Sequence, residues 1–533
     1  MAAPVPPFRV AFALLAALAA FGAAGDEEPY DLVLRGGRVV DGTGAPWFVA
    51  DVAVRGDSVA AIGRGLAGPA RRAVDVGGLV VAPGFIDLHS HARRGIFRVP
   101  TAENYVRQGV TTLMEGPDGS SPLPLRDFLD RLAATGISVN MGSFVGQGSI
   151  REKVIGTVDR KASPEEIEAM KELVRAGMRD GAFGLSSGLF YVPGTFTPTE
   201  EVIALARVAG EMGGIYISHM RNEAARVVDS VAETIRIGEE GSLPTQVTHH
   251  KIIGKGNWGK STDTLRLIAE ARARGVDATI DQYPYTASST GLQALFPSWA
   301  LEGGHAEVVK RLEEPAQRAR IKAAVIENIL NDRGGGDAKN IVIAASQSDP
   351  SLAGRSLAEI TKTRGRQPTP EGAAETAMEI VAAGGASAVF HAIDEADVER
   401  IMREPVTMVA SDGEVPVFGE AAPHPRSYGT FARVLAVYVR EKRLLTLEDA
   451  VRKMSSLPAH RIGLADRGLL RPGMKADLAV FDPARVRDAA TFERPHQYAE
   501  GFTLVIVNGQ PVFENGAMTA ARPGRVLYGP ARK

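Results

Sequence analysis

The feature that most constrains this chain is an alternation of eight short apolar, strand-like runs with helical stretches. In order they are "GFIDLHS", "GVTTLMEG", "ISVNMGSFVG", "AFGLSSGL", "GIYISHM", "PTQVTHH", "DATIDQY" and "VTMVASDG". Strands that alternate with helices build a parallel sheet, and eight such units predict a (β/α)8 TIM barrel, an α/β fold. Stretches such as "PEEIEAMKELVRAGMRDG" and "PTEEVIALARVAGEMGG" supply helices between them, each ending near a glycine. Between the seventh and eighth runs lies a segment from about 291 to 403, too long for a plain loop. An inserted subdomain is expected there, with "DRGGGDAKN" as an exposed loop within it.

The two ends of the chain read differently. "YDLVLRGGRVVDGTG" and "ADVAVRGDSVAAIGRG" near the start, and "KADLAVFDP" and "GFTLVIVNGQPVFENG" near the end, are alternating strands with glycine turns. They predict one small β-sandwich domain built from residues 26–82 and 466–533, flanking a barrel domain at 83–465. Ahead of it, Arg9, a short apolar run and small residues at Gly22 and Ala24 read as a signal peptide over 1–24. The chain is therefore expected to be exported, to the periplasm or beyond. No later stretch is long and apolar enough to span a membrane once that segment is removed. A formal net charge of -2 gives no reason to expect a nucleic-acid partner.

The chain has no cysteine, so disulfides and thiolate chemistry are excluded and a metal must be held by His, Asp, Glu or a modified Lys. Polar residues gather at the C-terminal ends of the predicted strands, where barrels build active sites. His89 and His91 follow the first strand, and residues two apart on a strand point the same way. An HxH pair alone is weak evidence. His219 ends the fifth run, His249 and His250 end the sixth, and Asp412 ends the eighth, so the rim as a whole reads as a metal site.

These segments resemble the amidohydrolase superfamily, and within it the D-aminoacylases (N-acyl-D-amino-acid deacylases). "GFIDLHSH", "GVTTLMEG", "YISHMRNE", "THHK", "DQYPYTASST", "SDG" and "HPRSYGTF" carry the resemblance over nearly all of the chain after the signal segment. It implies a composite β-domain beside the barrel, an insertion before strand eight, and zinc-dependent hydrolysis of an amide, with one or two Zn2+. It also implies that His219 and His249 are zinc ligands, with His250 behind them. The family carries a metal-binding cysteine after the GVTT strand. Here Asp118 falls at that position by counting, with Glu115 as the competitor; either carboxylate is a harder ligand than a thiolate. The fourth run has no lysine, which argues against a carboxylated-lysine bridge. Gln147 stands where the family usually has His.

The implied substrate is a small N-acyl amino acid with a free carboxylate. Lys251, Tyr283, Ser289 and Arg426 are candidates to hold it, Arg426 by a bidentate grip. Arg221 is a further candidate or an ion-pair partner, and Tyr191 is a candidate wall. Asp412 is the expected general base, taking a proton from water and passing it to the leaving amine. His305, His391, His424, His460 and His496 receive no role. The alternatives are a cyclic-amide hydrolase of the dihydroorotase or hydantoinase type, another N-acyl amino acid or dipeptide hydrolase, and an inactive scaffold that binds rather than reacts. Side chain, acyl group, preferred chirality and oligomeric state are left open.

Overall fold

The computed structural model describes residues 28–532; the expected signal segment lies outside the described residues. Eight parallel strands form the barrel: Phe85–Asp87, Val110–Glu115, Asn140–Ser143, Gly184–Gly188, Ile215–His219, Thr245–Val247, Ala278–Gln282 and Thr407–Val409. They are numbered one to eight below. Each pairs with the next in parallel register, strand three reaching strand four through its continuation Val145–Gly146. The ring closes where Ser90–His91 pairs with Gly413–Glu414, so the closing seam runs through the segments that follow strands one and eight. The (β/α)8 expectation holds.

Alternation along each strand sorts side chains between two cores. In strand two Leu113 joins the outer cluster and Met114 the inner one; in strand five Tyr216 faces out and Ile217 in. The inner cluster also takes Ile86 and Met408, filling the barrel floor with bulky apolar groups. The outer cluster packs against helices such as Pro164–Asp180. That helix begins with a capping box between Ser163 and Glu166 and a proline at its first turn. It buries Met170, Val174 and Met178, spaced four apart on one stripe.

The β-domain is one continuous nine-stranded sheet drawn from both ends of the chain. Leu478–Phe481, from the C-terminal part, pairs antiparallel with Val80–Pro83, from the N-terminal part. Leu34, Val52, Val81, Leu478 and Ile506 share its core. Between strands seven and eight, Ser288–Gly291, Ile341–Ala345 and Ser387–Phe390 form a three-stranded antiparallel sheet. Four helices pack on it around a core of their own that includes Ile321, Val325, Ile343 and Met378.

One expectation here is corrected. The "DRGGGDAKN" stretch is not an open loop: Arg333 is only 3% exposed. A Cβ on Gly334 would lie 2.2 Å from the Ile329 carbonyl oxygen, and one on Gly335 would lie 2.5 Å from that of His391. These glycines let the backbone press against its neighbours rather than flex in solvent. Among the described residues, no helix is long and apolar enough to cross a membrane.

Candidate metal centre

The C-terminal ends of strands one, two, five, six and eight converge on one point. His89, His91, Asp118 and Asp412 form one group able to hold a metal ion, and Asp118, His219 and His249 form a second. Asp118 belongs to both. Its Oδ1 lies 3.3 Å from His89 Nε2, 3.4 Å from His249 Nε2 and 3.7 Å from His219 Nδ1, and its Oδ2 lies 3.4 Å from His91 Nε2. Asp412 Oδ1 lies 3.1 Å from His91 Nε2 and 3.6 Å from His89 Nε2.

Local geometry explains how Asp118 gets there. The "EGPDG" turn after strand two needs positive φ at Gly116 and Gly119, and Asp118 itself sits at φ 54°. A Cβ on Gly119 would meet the Gly188 nitrogen at 2.7 Å, so only glycine lets this turn lie against the end of strand four. Ser186 Oγ then donates to the Gly116 carbonyl and accepts from the Gly119 N–H. His249 (φ 34°) and Asp412 (φ 52°) share the left-handed conformation. Three residues of one cluster in a sparsely populated region are a mark of a functional site.

Electrostatics describe what the cluster wants. Burial would strip the protons from His89 and His91, yet the carboxylates of Asp118 and Asp412 outweigh burial and raise both. Burial would likewise raise Asp118, but His89 and His249 hold it well below the usual carboxylate range. Carboxylates this strong among buried imidazoles call for positive charge, which a divalent cation supplies. Both ring nitrogens of His89 and of His219, and Asp118 Oδ1, are buried without a hydrogen-bond partner. Buried polar atoms are normally satisfied, so these orphans fit ligands to a metal.

The other candidates divide. Glu115 stands outside both groups: its carboxylate accepts the Arg93 backbone N–H at 2.8 Å and caps that loop. His250 faces Thr264, its Nε2 2.8 Å from Oγ1. Arg426 Nη1 lies 2.6 Å from Asp412 Oδ2, over the Tyr283 ring at 5.0 Å. Burial would raise Asp412; the Arg426 guanidinium and the contact with His91 outweigh it and hold the carboxyl far below its usual range. The Tyr283 hydroxyl is buried without a partner. Tyr191 and Ser289 line the same cavity of about 620 Å³ as His91, Asp118, Asp412 and Arg426. Tyr191 packs its ring 4.6 Å from that of His219.

Two expected substrate contacts have protein partners of their own. The Arg221 guanidinium is bound to Glu233 and to the carbonyls of Thr195 and Thr197, which leaves it structural. The Lys251 ammonium is buried against Glu223 and the His249 carbonyl, and lies 5.4 Å from the centre of the Tyr283 ring.

The amidohydrolase family matches residues 72–513. The chain belongs to the amidohydrolase family. Within it, a D-aminoacylase from Alcaligenes xylosoxydans xylosoxydans is 39% identical over 94% of this chain and 98% of its own length. An N-acyl-D-glutamate deacylase from the same organism is 37% identical over 94% and 97%. The solved structure of an N-acyl-D-glutamate deacylase from Bordetella bronchiseptica, complexed with zinc and a phosphonate mimic of the tetrahedral intermediate, superposes with a TM-score of 0.80. It is 36% identical and covers 94% of this chain and 100% of its own.

In this amidohydrolase, sequence reasoning passed over two charged residues beside the histidines. Glu223 and Arg333 are 2% and 3% exposed and pair with each other at 3.1 Å. The spacing of Glu223, four residues after His219 in "HMRNE", was the available signal. Nothing local marks Arg333, which arrives from 110 residues away.

Proposed function

We propose that this chain is a zinc-dependent N-acyl-D-amino-acid deacylase, cleaving the amide to release a free D-amino acid and a carboxylate. The observation that carries the reading is the pair of His/Asp groups sharing Asp118, with Asp412 facing the same cavity. His89, His91 and Asp118 would hold one ion, and Asp118, His219 and His249 the other, so one or two zinc ions fit. When bound, zinc polarises the amide carbonyl and lowers the pKa of water to about 7.

The chain's own residues do the rest. Asp412, kept ionised by Arg426, takes the proton of the attacking water at Oδ1 and returns it to the leaving nitrogen. Arg426 has five N–H donors, so it can steady Asp412 and still grip a substrate carboxylate. The free Tyr283 hydroxyl and Ser289 complete that grip, and Tyr191 walls the cavity. In this reading residues 83–465 carry the chemistry, 26–82 with 466–533 brace the barrel, and the insertion at about 291–403 covers one side. Residues 1–24 direct export to the periplasm or beyond, which the N-terminal sequence of mature protein tests.

The deciding experiment is amine release from matched N-acetyl-D- and N-acetyl-L-amino acids on metal-analysed protein. Release from D substrates with zinc bound is expected. No release with zinc bound would overturn the reading in favour of a cyclic amide or peptide. No release and no metal would favour a binding scaffold.

A further inference from the structure

The unassigned buried charges around the two inner histidines form a repeating pattern. Glu223 places one oxygen toward each: Oε1 lies 3.3 Å from His249 Nδ1 and Oε2 lies 3.6 Å from His219 Nε2. These are the nitrogens on the far side from Asp118, which faces His249 Nε2 and His219 Nδ1. Each imidazole is bracketed between a carboxylate inside the cluster and one outside it. Each oxygen of Glu223 also has its own cation, Oε1 the Lys251 ammonium and Oε2 the Arg333 guanidinium. Lys251 Nζ further lies 2.7 Å from His249 Nδ1.

The two cations have a clear physical effect. A free carboxylate this near the cluster would swing in and become a ligand. Anchored at both oxygens, Glu223 instead stays facing the outer nitrogen of each ring, 3.3 Å from His249 Nδ1 and 3.6 Å from His219 Nε2. Its negative charge favours a proton on His219 Nε2 and leaves the Nδ1 lone pair for a cation, while at His249 it holds the Lys251 ammonium against Nδ1 and so fixes the orientation of the ring. Lys251 comes from the loop that carries His249, but Arg333 comes from the insertion. Its guanidinium lies 4.2 Å from the centre of the Phe190 ring, which itself packs against His219 at 5.8 Å. The tight packing of Gly334 and Gly335 against Ile329 and His391 carries it there.

We propose that Glu223 is the positioning residue for both His219 and His249, and that Arg333 makes its placement depend on docking of the insertion. This rests on the metal-centre reading above, not on the choice of substrate. Metal loading and insertion docking are then linked, each favouring the other.

The test measures zinc affinity of the full chain by chelator competition. R333M is expected to bind zinc about ten- to a hundred-fold more weakly, the range seen when partners behind a ligand are lost. R333K should recover part of the loss, and E223Q should weaken zinc at least as much as R333M. Reciprocally, zinc should slow hydrogen exchange of the peptide around Arg333 in wild type but not in R333M. Unchanged zinc affinity in folded R333M would overturn the proposal, even if E223Q fails to fold. Zinc is the probe, so the outcomes separate: wild type that binds zinc but releases no amine refutes the deacylase reading alone. Wild type that releases amine beside an R333M of normal zinc affinity refutes this proposal alone.

Discussion

Both ends of the barrel bury charged groups, and they treat them in opposite ways. At the N-terminal end, Asp477 is 5% exposed and accepts from Arg467, from the Asn508 N–H at 2.7 Å and from Asn140 Nδ2 at 3.1 Å. Lys453, fully buried, donates to the carbonyls of Glu404 and Thr407 where strand eight begins. At the C-terminal end, His89 and His219 have no partner at either nitrogen, and three residues sit at positive φ. The lower network is closed on itself and ties the β-domain to strand three. The upper one is left open, strained and poised for something that is not protein. Buried polarity alone is thus no sign of function; the gathering of unsatisfied His89, His219 and Asp118 atoms on one point is.

That contrast fails or holds by mutation. The largest effect is expected from Asp412→Asn, with kcat/KM down by about 10²–10⁴-fold and thermal unfolding unchanged. A large drop in Tm with near-normal turnover would place Asp412 with the structural end. Asp477→Ala should do the reverse. Leaving Arg467 buried without its partner should destabilise by about 3–5 kcal/mol in urea unfolding, with kcat of the folded fraction preserved. Asp118→Ala should lower bound zinc, read by metal analysis, and should also lower the urea midpoint of apo protein at neutral pH, since a carboxyl held below its usual range contributes stability there. Lys453→Met should cost about 1–3 kcal/mol through two orphaned carbonyls, without loss of zinc.

The smallest effect is a pH slope. Burial pulls the Lys453 ammonium down to about 8 from 10.5. Between those values the unfolded chain binds more protons than the folded one. Stability from this group therefore rises with pH across the window, by up to about 1.4 kcal/mol per unit. The difference in unfolding free energy between wild type and Lys453→Met, followed from pH 8 to 9.5, should carry that slope. A flat difference would mean that the buried lysine stays charged.

All eight strand segments were legible in the sequence because each is an apolar run in a regular alternation, a signal carried by neighbours in the chain. His89, His91, His219, His249 and Asp412 were legible for the same reason, since each ends one of those runs. What a side chain contacts was less so. Lys251 and Arg426 look alike as carboxylate binders in sequence, yet one is bound to Glu223 and the other opens onto the cavity. The choice between Glu115 and Asp118 turned on three left-handed or glycine positions in "EGPDG", which counting along the chain does not reveal. The glycine-rich stretch around Arg333 misled because the same composition serves an open loop and a tightly packed one.

The shared carboxylate has a chemical consequence. A thiolate at the centre of a metal site can be oxidised step by step, and its oxidation releases the ions it holds. Asp118 has no such ladder, and the chain contains no cysteine anywhere. Peroxide or thiol-alkylating reagents at levels that would dismantle a sulfur-bridged centre should leave this one loaded, and soft cations should find less to bind there than hard ones do.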